Sequence, residues 1–179
     1  MHRLPVVGTW GSNVEDRAAS YACDGLIGRP DIVVFRAVDI SAPAPLVFRW
    51  LCQLRAAPYS YDWIDNLGRK SPQVLTPGLE ELEVGQRFMT IFRLVAFDGG
   101  STITLDSSTP LFGRVVCTYQ VTASVSSESH LVAKLLVAVP RGPFGAIVRH
   151  LLPMGDLVMM RKQLLTLKVL AERDARSSP

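Results

Sequence analysis

Apolar residues along the chain follow two rhythms, and the switch between them predicts the elements. Residues 31–40, Asp-Ile-Val-Val-Phe-Arg-Ala-Val-Asp-Ile, are dense in β-branched side chains and predict a strand. Ser41-Ala42-Pro43-Ala44-Pro45 turns the chain, and Pro45 suits the first position of a helix, where its missing N–H would be unpaired anyway. In 46–55, Val47, Trp50, Leu51 and Leu54 recur at the spacing of one buried helical face. A second short helix is expected over 61–67, with Ser60 as N-cap and Gly68 as its stop. Pro72, Pro77 and Gly78 make 69–78 a loop.

The middle of the chain reads as β. Residues 87–97 form a long strand, apolar on both parities, and Asp98-Gly99-Gly100 is a hairpin signal before a strand at 101–106. In 114–125, Val115, Cys117, Tyr119, Val121 and Ala123 share one face, opposite Arg114, Thr118, Gln120 and Thr122. In the next strand Leu131, Ala133, Leu135, Val137 and Val139 share a face, opposite His130 and Lys134. Consecutive hairpins predict an antiparallel sheet with one wet side. A short helix is expected over 143–152, stopped by Pro153-Met154-Gly155. Asp156 then caps a long final helix running to about Arg173. Its stripe is Leu157, Met160, Leu164, Leu167 and Ala171, broadened by Val158, Leu165 and Val169. Before all this, Gly8, Gly11, Gly25, Gly28 and Pro30 break up the first thirty residues, leaving a short helix over 14–22 capped by Asn13. Trp10 and Tyr21 mark that segment as packed. The expected organisation is an N-terminal strap at 1–30, one domain at 31–175 and a disordered tail at 176–179. The element order is α+β: a curved antiparallel sheet wrapped around a long C-terminal helix, with two short helices after the first strand.

Composition narrows the function classes. A chain of 179 residues with 48% hydrophobic and 20% charged residues holds about one domain and a real core. The net charge of +3 is spread along it without a block of five like charges, which argues against a nucleic-acid arm. Three dispersed cysteines, Cys23, Cys52 and Cys117, without a Cys-x-x-Cys read as reduced thiols of a cytoplasmic protein. The start lacks the apolar run of a signal peptide, and the longest near-apolar stretch, 131–139, is interrupted by Lys134 and too short to span a bilayer. A monomer or homodimer without an integral membrane segment is expected.

Few residues carry recognisable chemistry. His2, His130 and His150 are isolated, so no metal site is expected, and no cofactor motif is present. There is no Gly-x-Ser-x-Gly, and Cys117 on its apolar strand face reads as a small hydrophobe. The densest polar and aromatic cluster is Tyr59-Ser-Tyr-Asp-Trp-Ile-Asp-Asn66. Tyr59, Tyr61 and Trp63 combine apolar bodies with hydrogen-bonding tips, as suits a pocket mouth, or else they are packing residues. Asp62, if desolvated, would serve as a general base; otherwise it pairs with an Arg or caps a helix. Arg36 shares its strand parity with Ile32, Val34, Val38 and Ile40. Either it faces the cavity, pairing a ligand anion, Asp62 or Asp65, or Val33, Phe35 and Ala37 form the core face and it is solvated. Met154, Met159 and Met160 with Phe88, Phe92 and Phe144 supply a plastic lining, and Tyr119 joins them.

Three stretches resemble a known superfamily. They are the opening Arg36-Ala-Val-Asp-Ile-Ser-Ala-Pro-Ala-Pro-Leu-Val-Phe-Arg-Trp-Leu51, the segment Ala57-Pro-Tyr-Ser-Tyr-Asp-Trp-Ile-Asp-Asn66, and the stretch 151–171, the last two most specific in Tyr-Ser-Tyr-Asp-Trp and Gly155-Asp-Leu-Val-Met-Met160. Together the order resembles the helix-grip fold of the START-related SRPBCC superfamily, in its polyketide cyclase-like actinobacterial branch. The resemblance covers about 34–173. It implies a hydrophobic cavity between sheet and long helix, and it carries no universal catalytic residues. The expected partner is therefore a small apolar molecule, lipid-, sterol- or polyketide-like, held by Arg36, Tyr59, Tyr61, Asp62, Trp63, Phe88, Phe92, Tyr119 and Met154. The alternative is an aromatase/cyclase-type enzyme in which Tyr61, Asp62 or Arg36 moves a proton or steadies an oxyanion. A third is a regulatory partner protein with a vestigial cavity.

Overall fold

The computed structural model describes residues 8–110, 112–124 and 127–177, with the backbone alone at Asp65, Pro143 and Phe144. A short helix, α1 (Val14–Ala18), precedes the β-branched run, which forms β1 (Ile32–Ile40). The chain then turns through α2 (Ala44–Cys52), a 3₁₀ turn (Gln53–Arg55) and α3 (Asp62–Asp65). Four hairpin-linked strands follow a short β2 (Arg87–Phe88): β3 (Phe92–Asp98), β4 (Thr102–Thr109), β5 (Gly113–Ala123) and β6 (Ser129–Ala138). The last element is α4 (Pro143–Ser177). All six strands form one antiparallel sheet in the order β1-β6-β5-β4-β3-β2, and α4 packs against β1 and α2. This is an α+β helix-grip arrangement, a curved antiparallel sheet around a long C-terminal helix.

Register puts Arg36, Ala133, Tyr119 and Ile103 side by side, with Val34, Leu135, Cys117 and Leu105 in a neighbouring row. These rows face α4, where Met160, Leu164, Leu167, Leu170 and Ala171 are buried against them with Trp50, Leu51 and Leu54. The opposite face is also covered. Tyr21, Cys23 and Ile27 of the strap pack on Phe35, Ala37, Val116, Val132 and Leu136. The sheet is thus not wet there, which explains why β1 is apolar on both parities. Lys134, expected to be solvated, is buried beneath the strap, paired with Asp24 and lying over the rings of Tyr21 and Phe35. At the sheet's edge the Ala37 N–H donates to the Trp10 carbonyl (3.0 Å). This close approach needs Gly11: a Cβ there would sit 1.9 Å from the Ala37 oxygen, and its φ is +75°.

Several expected boundaries move. The short helix and the long one are a single helix: Pro153 lies inside α4, and Asp156 is one of its interior residues, not a cap. A proline removes one backbone bond but does not end a helix held by packing on both sides. The helix also runs past Arg173 to Ser177. The long strand at 87–97 is broken, because Met89 and Thr90 take positive φ (42° and 69°) and fold β2 back on β3. In α3 the N-cap is Tyr61, without a side-chain bond, in place of Ser60. Asn13 does cap α1, reciprocally with Asp16, but that helix ends at Ala18.

Candidate functional site: a cavity between sheet and helix

A cavity of about 560 Å³ lies between the sheet and the first half of α4. Its floor is Val115 and Leu135 from the sheet; its roof is Val148, Leu152 and Met159 from the helix. Ile91, Phe92, Phe112, Ile147 and Leu151 complete it, and of these Ile91, Phe112, Ile147 and Leu151 are also exposed, so they rim the opening. The strained Met89-Thr90 turn delivers Ile91 and Phe92 to that rim. Among the described lining residues, Asp156 alone carries a polar side chain.

Asp156 is the least expected member. Leu152, Asp156, Met160 and Gln163 continue one inward helical face across Pro153, and that spacing was the signal for it. Its carboxylate meets Arg36, whose Nη2 lies 2.8 Å from Asp156 Oδ2. Arg36 is fully buried; its guanidinium also donates to the carbonyls of Phe35 (2.9 Å) and Pro153 (3.3 Å). Arg36 thus points toward α4, and its charge is paired by the helix, not by α3 or solvent. Burial pushes the Asp156 carboxyl from 3.8 up to about 6, although Arg36 pulls it down. Burial likewise lowers the Arg36 guanidinium, opposed by Asp156.

The other candidates are spread over several places. Phe92 lines the cavity, while Phe88 is fully buried in the core. Tyr119 is buried, donating to Gln163 Oε1 (2.7 Å), and burial raises its phenol well above the usual range. Gln163 in turn donates to the Pro58 carbonyl (2.7 Å), tying sheet, helix and the α2–α3 loop together. Tyr59 and Asp62 line a separate 420 Å³ pocket with Lys162 and Leu165. Asp62 accepts from the Ser71 N–H (2.8 Å) and hydroxyl (2.5 Å), which pins the following loop. Tyr59 packs edge-on against Trp50, and burial pushes its phenol up to about 12. Tyr61 sits in a third pocket beside Leu157 and Arg161. Trp63 and Met154 are mostly exposed, at 75% and 60%. Met159 lines the cavity, Met160 is buried, and the side chains of Phe144 and Asp65 lie outside the described residues.

Solved structures share this arrangement. Protein TTHA0849 from Thermus thermophilus is 18% identical with a TM-score of 0.52, covering 80% of this chain and 99% of that one. Protein MLL2253 from Mesorhizobium loti is 19% identical at a TM-score of 0.50, covering 79% and 97%. The likeness is one of fold. A third neighbour, the di-domain aromatase/cyclase StfQ from the steffimycin biosynthetic pathway, is 14% identical at a TM-score of 0.50. There the match covers 82% of this chain and 53% of StfQ. It agrees in fold with the polyketide cyclase-like resemblance read from the sequence. No family model matches the chain, and no curated protein does.

Proposed function

We propose that the protein binds and carries a small apolar molecule in the cavity under the first half of α4. The observation that carries this is the lining: a 560 Å³ space walled by aliphatic and aromatic side chains with one carboxyl group at its inner side. Small-molecule sites run to roughly 300–1,000 Å³ with a few polar groups that set orientation. Burying about 300 Å² of ligand at about 25 cal/mol/Å² yields roughly 7–8 kcal/mol before association costs at least about 4 kcal/mol. Oiliness alone therefore gives about millimolar binding, and tighter binding needs a polar anchor. Asp156 is that anchor. A ligand hydroxyl can donate to it, whereas a fatty-acid carboxylate would meet like charge, so sterol-like and phenolic ligands are favoured over free fatty acids.

Competitive displacement of an environment-sensitive dye by sterols, polyphenols and fatty acids tests this. Intrinsic tryptophan is a poor reporter, because Trp50 is buried in the core and Trp10 and Trp63 lie outside the cavity. Micromolar displacement by hydroxylated ring systems, weakened in Asp156→Ala, is the expected outcome; no ligand below about 1 mM contradicts it.

A second reading, an aromatase/cyclase-type enzyme, draws on Asp156 itself: a carboxyl raised to about 6 within an apolar cavity is poised for proton transfer. Cyclisation of a linear polyketide mimic that Asp156→Asn abolishes, while ligand binding persists, would favour catalysis over carriage.

A further inference from the structure

We propose that the solvent face of the first half of α4 docks on an anionic lipid surface. Ile147, Leu151, Met154 and Val158 recur at 4-3-4 spacing along α4, and each is more than half exposed. They form an apolar stripe on the outside of a helix whose inner face roofs the cavity. Ile91 and Phe112 continue it across the cavity mouth.

The charges beside the stripe select the partner. Between 143 and 171 the helix has one acid, Asp156, and that acid is turned inward to Arg36. The solvent side carries Arg149, Arg161, Lys162 and Lys168. Arg149 and Lys168 are neutralised by Asp31 and Glu172. Arg161 and Lys162 are exposed, and among the described residues neither has a carboxylate within ion-pair distance; Arg161 lies over the Trp10 ring. Arg141, just before α4, is exposed and equally without an acidic partner among the described residues. An apolar stripe flanked by cations that lack acidic partners, here Arg141, Arg161 and Lys162, is the pattern that lies in a lipid interface, with aliphatic groups among acyl chains and cations at anionic headgroups. A second copy of the chain fits less well. A two-fold contact through this stripe would bring cationic margins together without acids to meet them.

The docking surface surrounds the cavity opening, so a bound molecule would pass between bilayer and cavity without crossing water. Docking itself does not depend on what the cavity holds.

Co-sedimentation of the full chain with vesicles tests the proposal, comparing pure phosphatidylcholine with a mixture containing about one-third phosphatidylserine. Binding to the anionic vesicles, suppressed by high salt, is expected. The Arg161→Glu/Lys162→Glu variant and, separately, Leu151→Asp/Met154→Asp should each weaken it by about tenfold or more. All four side chains are exposed, so melting temperatures near the wild-type value would show that folding is intact. Absence of binding, or equal binding to neutral and anionic vesicles, overturns the proposal. So does a dimer in analytical ultracentrifugation that Leu151→Asp dissolves, since a second copy would then cover the stripe.

Discussion

Arg36 and Asp156 show how a buried charge shapes one site. A guanidinium with no solvent exposure is tolerated because a carboxylate and two backbone carbonyls surround it. Removing one partner strands the other. Arg36→Ala should lower stability by about 3–5 kcal/mol, whereas the apolar double variant Arg36→Met/Asp156→Leu, similar in volume, should recover most of that loss. Chemical denaturation of the two variants checks this. The pH dependence follows from the raised Asp156 carboxyl. A folded pKa of about 6 against 3.8 unfolded means the native state holds the extra proton between them, so stability falls as pH rises through that window. That gap corresponds to about 3 kcal/mol over the whole titration, of which the wild type should lose about 2 kcal/mol relative to Asp156→Asn between pH 4 and 6. Parallel profiles for the two proteins would contradict it. From sequence, Arg36 stood out as a charge sharing its strand parity with Ile32, Val34, Val38 and Ile40. Its partner was hidden because Asp156 follows Pro-Met-Gly, which reads as a helix start.

At the level of elements, α4 is decided by packing more than by local signals. The stripe Met160, Leu164, Leu167 and Ala171 is legible as a helical face and is buried as such. Val158 and Val169, whose spacing would broaden it, are exposed to solvent instead. Lys168 is only half-exposed: it donates to the Asp39 carbonyl (2.6 Å) and pairs with Glu172. Leu164→Asp should therefore destabilise by more than about 3 kcal/mol through a buried charge, and Lys168→Ala by less than about 1 kcal/mol. Similar melting temperatures for both would mean the face is wrongly assigned. The strands were legible because alternation survives wherever one face is buried. The break at Met89-Thr90 was not, since two non-glycine residues with positive φ leave no mark in the sequence.

Across the whole molecule, the strap is what composition could not place. It turns a one-sided sheet into a two-sided one, and His130 joins it to the domain. The His130 ring bridges Asp39 (2.6 Å) and Asp16 of α1 (3.1 Å). Burial opposes its charge, but hydrogen bonds to Asp39 and Asp16 and their charges outweigh that, so its pKa is raised. The stabilisation is thus fully present below the ordinary value of 6.5 and lost as pH rises through the folded-state value. Amide exchange across 13–24 should speed up from pH 6 to 8, after correction for intrinsic rates, and His130→Gln should remove that dependence. The hydrophobic patterning made the α+β element order legible and the superfamily resemblance implied the cavity, but neither showed which residues line it, because side chains from β3, β5, β6 and α4 meet only in three dimensions. Gly155 probes that cavity directly. Gly155 lines the space, and a Cβ added there meets no atom within 4 Å. Replacing an exposed helical glycine raises stability by up to about 1 kcal/mol, so Gly155→Phe should fold about as well as the wild type while placing a ring at the cavity mouth. Ligand affinity measured by dye displacement should drop by about tenfold or more in Gly155→Phe; an unchanged affinity in the folded variant would place the ligand elsewhere and contradict the account.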